Sequence, residues 1–219
     1  MTSTDVVVLV FGGRTLPRPL RGIPVQRVGG SRDIDELASQ YRRLVVVGSD
    51  ADLAAVLTRL LRSEKLDVEV GFVAKHRSAA TRAHRLPTGW RAARLAASGQ
   101  AHRVPLIRDD TGAAIVGSAT WRGADGPLHG EAVVDDTTLF DGQVFGVRVQ
   151  PIGEPPGLRA AVLTQGDRRR RWVVGRWVVG RAAQLGSTGA LVERDGVAAK
   201  RPVPRSTFYR HIQGWLLVR

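Results

Sequence analysis

The sequence predicts an α/β N-terminal part with a parallel sheet, followed by an all-β antiparallel sandwich part. Two observations carry that expectation. In the first hundred residues, β-branched runs alternate with stretches of helical periodicity, the rhythm of strands joined by crossover helices. From Val104 onward, short apolar runs are separated by Gly, Pro and Asp at the close spacing of antiparallel strands. The expected division is therefore 1–103 and 104–219, with the N-terminal strand shared with the C-terminal end.

Asp5–Phe11 (DVVVLVF) reads as the first strand and stops at Gly12-Gly13. Arg14–Gly30 is rich in Pro and Gly, a loop around a short strand near Val25–Val28. Ser31 or Asp33 can cap a helix to about Tyr41, with Asp35 and Glu36 suited to its positive first turn. Leu44–Val47 is the second strand. Leu53, Val56, Leu57, Leu60 and Leu61 recur at helical spacing and predict a helix over Asp50–Leu61. Val68–Val73 is a third strand, followed by helix over Ser78–His84, a break at Leu86-Pro87, and helix over Trp90–Ser98. In the second part, VPLIR, AAIVGSATW, GEAVVDD, QVFGVRVQP, LRAAVLT, RWVVGRWVV, GALVERDG and WLLVR are the strand candidates.

At 219 residues, 43% hydrophobic and 24% charged, the chain can bury a real core. With no cysteine it has no disulfide, thiolate metal site or cysteine nucleophile. No apolar run approaches the roughly 18–20 residues of a membrane span. The start goes directly into a strand without a basic leader, so a cytoplasmic protein is expected, peripheral at the inner membrane face if it meets lipid. The net charge is +13, and all basic residues except Lys65, Lys75 and Lys200 are arginine. That choice fits a GC-rich genome, but the distribution needs another reason: residues 1–150 carry net +4 and residues 151–219 net +9. Such an excess suits an anionic small molecule, a lipid surface or nucleic acid.

The stretch VVVGSDADLAAVL, Val45–Leu57, is a strand, a one-glycine turn and a helix. Open α/β folds place phosphates at such junctions, because the helix start offers unpaired N–H groups. A phosphate cradle normally uses several glycines; here Gly48 stands alone, followed by Ser49, Asp50 and Asp52. The two aspartates suit either a magnesium ion or simple capping of the helix. A basic trio, Lys75, His76 and Arg77, precedes Ser78 at the next helix start and suits phosphate binding through side chains, or a solvated loop.

These residues resemble the diacylglycerol kinase and NAD kinase superfamily, in its bacterial lipid-kinase branch. The family's first motif is a strand, Gly-Gly-Asp-Gly-Thr and a helix. Gly48 and Asp50 match it, while Ser49, Ala51 and Asp52 depart. Its second motif, Gly-Thr-Gly-Asn-Asp-Phe-Ala-Arg and then Leu-Pro, is matched at Arg82 and Leu86-Pro87, with Lys75-His76-Arg77-Ser78-Ala79 replacing the glycine-rich core. Its late Asp-Gly-Glu, whose Glu is the catalytic base, is matched only at Asp195-Gly196, with Val197 in the place of the base. The resemblance implies an α/β nucleotide domain, a β-sandwich and a ligand in the cleft between them. It implies Asp50 as catalytic residue and, with Asp52, as holder of Mg²⁺. ATP would be met by Gly48, Ser49, Asp52, Lys75, His76, Arg77, Ser78 and Arg82. It also makes a homodimer plausible. The departures imply a shortened, degenerate member that binds a nucleotide or lipid headgroup with weak or no phosphotransfer. The alternative is an active ATP-dependent lipid kinase.

A reading of another class rests on Arg168, Arg169, Arg170 and Arg171 with Trp172. They suit contact with an anionic membrane surface, or form a hairpin tip entering a core strand. Nucleic acid ranks behind lipid, because no RNA-binding or zinc-finger signature is present. RWVVGRWVV reads as one strand with Trp172, Val174, Arg176 and Val178 on a common face. The five histidines form no metal-ligand pattern.

Overall fold

A computed structural model describes residues 5–165 and 172–219. The chain begins β1 (Val6–Val10), β2 (Val25–Arg27), α1 (Ser31–Gln40), β3 (Arg43–Val47), α2 (Asp50–Arg62), β4 (Glu69–Val73), α3 (Ala79–Ala83), α4 (Gly89–Ser98) and β5 (Ala101–Val104). It continues β6 (Ile107–Asp109), β7 (Ala114–Ile115), β8 (Ala119–Gly123), β9 (Leu128–Val134), β10 (Thr137–Val144), β11 (Gly146–Pro151) and β12 (Leu158–Gln165). It ends β13 (Trp172–Val174), β14 (Val178–Gly180), β15 (Ala182–Arg194), β16 (Val197–Ala198), β17 (Val203–Arg210) and β18 (Trp215–Val218).

Two compact units result. The first is 1–104 with 112–114 and 212–219; the second is 105–111 with 115–211. The C-terminal strand thus leaves the β-rich part. Residues of β18 pair in parallel with β4 and antiparallel with β5. Trp215, Leu217 and Val218 are buried there, which a short apolar run at the end of a chain cannot reveal locally.

The first unit is a 6-stranded sheet in the order β2-β1-β3-β4-β18-β5, parallel except for β5. Alternation sends Val8, Val10, Val45 and Val47 to one face, where they cluster with Val73 and with Ala92, Ala93 and Ala96 of α4. Helix α4 lies close because β4 carries Gly71 beneath it: a Cβ there would stand 2.7 Å from that of Ala96. Helix α2 buries Leu53, Val56, Leu57 and Leu60 and packs beside α1, tied to it by the Arg59–Asp35 ion pair. The expected cap of α1 is different: Gly30 holds the cap position, and the Asp33 carboxylate reaches back to accept the N–H groups of Gly29 and Gly30 at 2.8 and 3.2 Å.

Among the described residues the second unit is a 12-stranded antiparallel sheet organised around the long strand β15. The first half of β15 pairs with β9 and its second half with β8, so the sheet divides along one strand. Strand β10 packs against β12 without pairing with it, which closes a two-layered core. Trp121 lies at its centre, stacked on Phe208 at 5.2 Å, and its indole N–H donates to Ser206 Oγ at 3.0 Å. RWVVGRWVV is not one strand. Val174 pairs with Leu163 and Val178 with Ala160, so four steps on one side match three on the other. This one-residue bulge at Gly175–Trp177 breaks the single alternation that would put Trp172, Val174, Arg176 and Val178 on a common face.

Candidate functional site

In the first unit the chain leaves β1 toward β2 on one side, then crosses to β3 and β4 on the other. That switch point is where open α/β sheets leave a crevice at the carboxyl ends of their strands. A cavity of about 590 Å³ lies there. Val47 and Val73, the last residues of β3 and β4, give it an apolar floor. Arg14, Arg18, Lys75 and Trp90 complete its walls. Trp90 is the second residue of α4 and is 57% exposed, with the Arg94 guanidinium 6.0 Å from its ring centre. The cavity's size is that of a small-molecule site, and among the described residues its charged lining is Arg14, Arg18 and Lys75, all cations.

Beside the cavity, the turn after β3 is closed by its own side chains. Ser49 N–H and Ser49 Oγ both donate to Asp52 Oδ2 at 2.7 Å. Asp52 N–H returns a bond to Ser49 Oγ at 3.3 Å, completing a capping box at the start of α2. The same carboxylate oxygen lies 3.2 Å from Arg14 Nη1, and that nitrogen also donates to the Phe11 carbonyl at 2.9 Å. Gly48 is needed for room: a Cβ there would stand 2.8 Å from both Cβ and Oδ2 of Asp52. It takes no positive φ.

Asp50 is used differently. Its Oδ2 accepts Ala80 N–H at 3.0 Å, which helps to cap α3, while its Oδ1 is buried with no hydrogen-bond partner among the described residues. Ser78 is the N-cap of α3 and accepts Thr81 N–H at 3.2 Å. Lys75 is on the cavity wall, whereas Gly48, Ser49, Asp50, Asp52, His76, Arg77, Ser78 and Arg82 are not. His76, Arg77 and Arg82 are exposed. Asp195 forms a turn, and its carboxylate accepts the N–H groups of Val116, Gly117 and Ser118 at 2.7–3.0 Å. Val197, beside it, is an exposed apolar residue. Of the run read as an anionic-surface contact, Arg168, Arg169, Arg170 and Arg171 lie outside the described residues, and Trp172 opens β13.

The fit to a resident Mg²⁺ is poor. Asp52 is committed to its cap and to Arg14, and Asp50 spends one oxygen on α3. Among the described residues, no group of three or more His, Asp or Glu is placed to hold a metal. The cavity residues missed by the sequence reading are Arg14, Arg18 and Trp90. The signal for Arg14 is present in the sequence: Gly12-Gly13-Arg14 follows a buried strand as Gly48-Ser49 does.

No protein-family model matches the sequence, and no curated protein matches it. The fold does have relatives. The chain superposes on a diacylglycerol kinase from Bacillus anthracis str. Sterne with a TM-score of 0.70 and 12% identity, covering 98% of this chain and 96% of that one. It superposes on an NAD kinase from Archaeoglobus fulgidus in complex with ATP with a TM-score of 0.63 and 13% identity, covering 98% and 93%. The chain therefore has the kinase-like fold of these two groups, with its parallel α/β unit and its antiparallel β unit.

Proposed function

We propose that the protein binds a phosphorylated small ligand, a nucleotide or a lipid headgroup, in the cavity of the first unit, and transfers phosphate weakly or not at all. One observation carries this reading: Arg14, Arg18 and Lys75 converge with Trp90 on one cavity at the switch point of the sheet. Cationic side chains grip phosphate oxygens through charge-assisted hydrogen bonds, and an indole offers a face to a base or an acyl stem. ATP is the first ligand to consider, since the NAD kinase of the same fold is in complex with ATP.

Phosphoryl transfer needs more than binding. It asks for a metal on the phosphates and a base on the acceptor hydroxyl. Asp52 is already engaged, and Val197 occupies the position where the resemblance expects the base. Both support binding without turnover. The second reading, an active ATP-dependent lipid kinase, is favoured by the Oδ1 of Asp50, which is buried and has no partner among the described residues.

Equilibrium dialysis with γ-labelled ATP separates the two. The unaltered chain retains nucleotide, and the double variant Arg14→Ala with Lys75→Ala retains it roughly tenfold or more less tightly, as expected for two lost charged contacts. Label does not pass to diacylglycerol vesicles above the blank. Equal retention by the double variant rejects the site. Label transfer that ceases in Asp50→Ala establishes the kinase instead.

A further inference from the structure

From Val70 to Arg108 the sequence contains no Asp or Glu but eight Lys and Arg. This is the segment that leaves β4, forms α3 and α4 and returns as β5. Its charges are outward: Lys75, Arg77, Arg82, Arg85, Arg91 and Arg94 are all exposed. Among them stands Trp90, an aromatic residue 57% exposed in a unit whose other tryptophan, Trp215, is 1% exposed. Helix α4 explains the arrangement. It turns Ala92, Ala93 and Ala96 into the sheet and leaves Trp90, Arg91 and Arg94 on the outside. Arg94 lies over the Trp90 ring, so the cation and the indole form one patch. Trp90 and Lys75 are at the same time walls of the cavity.

We propose that this face, from Lys75 to Arg94 with Trp90 as its apolar anchor, docks on an anionic lipid bilayer. The chemistry is complementary. Each Lys or Arg near such a surface strengthens partitioning about fivefold, and an indole settles at the headgroup level. Docking there presents the cavity mouth to the lipid plane. Nucleic acid is less well matched, because one exposed indole gives no row of stacking platforms. Docking does not depend on the ligand proposed for the cavity, and a soluble-ligand assay and a vesicle assay read the two separately.

The test is sedimentation of the full chain with vesicles of phosphatidylcholine, alone or with roughly one third phosphatidylglycerol. The chain is expected to pellet with the anionic vesicles, less so as salt rises, and not with the neutral ones. The variant Arg85→Gln, Arg91→Gln alters neither a cavity wall residue nor the Arg94 cation over Trp90. It is expected to bind ATP as the unaltered chain does and to partition onto anionic vesicles about thirtyfold more weakly. Brominated lipids are expected to quench fluorescence that is missing in Trp90→Phe. The proposal is overturned if the double variant partitions normally. It is equally overturned if only Arg168–Arg171→Ser loses binding, or if the chain binds oligonucleotides and no vesicles.

Discussion

At the scale of single residues, Gly48 and Asp52 define each other. Asp52 resembles a metal ligand in sequence, yet its carboxylate holds two groups of Ser49 and the guanidinium of Arg14. Gly48 is small because that carboxylate lies against it. Gly48→Ala is therefore expected to disturb the cap and cost about 1–2 kcal/mol of stability, read as a lower denaturant midpoint at unchanged slope. A second residue, Glu69, is buried between Arg42 and Arg43, with its oxygens 2.8 and 2.6 Å from their guanidinium nitrogens. Burial pushes its carboxyl up, but the hydrogen bonds and charges of Arg43 and Arg42 outweigh it, so the net shift is below the ordinary value of 4.5. The stability it contributes is complete above that ordinary value and is lost as pH falls through the lowered one. Glu69→Gln should flatten that acid limb and, at neutral pH, cost about 1–3 kcal/mol through the stranded arginines. An unchanged acid limb in thermal melts would refute this.

At the scale of elements, helices and strands are legible where one periodicity rules. The Leu53–Leu61 pattern predicts α2, and Asp50–Arg62 is what forms. The valine-rich first run, Val6–Val10, and the second, Arg43–Val47, are buried strands as their composition implies. Two things are not legible. A strand with a bulge keeps an apolar composition but loses its period, so RWVVGRWVV looks continuous. A terminal run such as WLLV carries no mark of which sheet will take it. Packing between elements is also invisible locally. Gly71 reads as a mild defect in a strand, yet it is what lets α4 approach β4. Gly71→Ala is expected to push α4 outward at a cost of about 1–3 kcal/mol and to weaken ligand binding, since α4 carries Trp90. Stability lost with affinity unchanged would separate Trp90 from the site.

At the scale of the whole molecule, the fold is shared with a diacylglycerol kinase and an NAD kinase at only 12–13% sequence identity. Fold alone does not carry activity. The candidate site is half visible in the sequence. Lys75 stands in a motif position, whereas Arg14, Arg18 and Trp90 meet it only through the strand order. Among the described residues no helix is long and apolar enough to cross a membrane. The central claim is that phosphate is held by cationic side chains and not by a metal on Asp50 and Asp52. The measurement that reaches it most directly is calorimetric titration of the full chain with ATP, with and without Mg²⁺. Binding that persists or tightens without the metal, because the bare triphosphate carries more charge to Arg14, Arg18 and Lys75, is the expected result. Binding that requires Mg²⁺ and disappears in Asp52→Ala would contradict it.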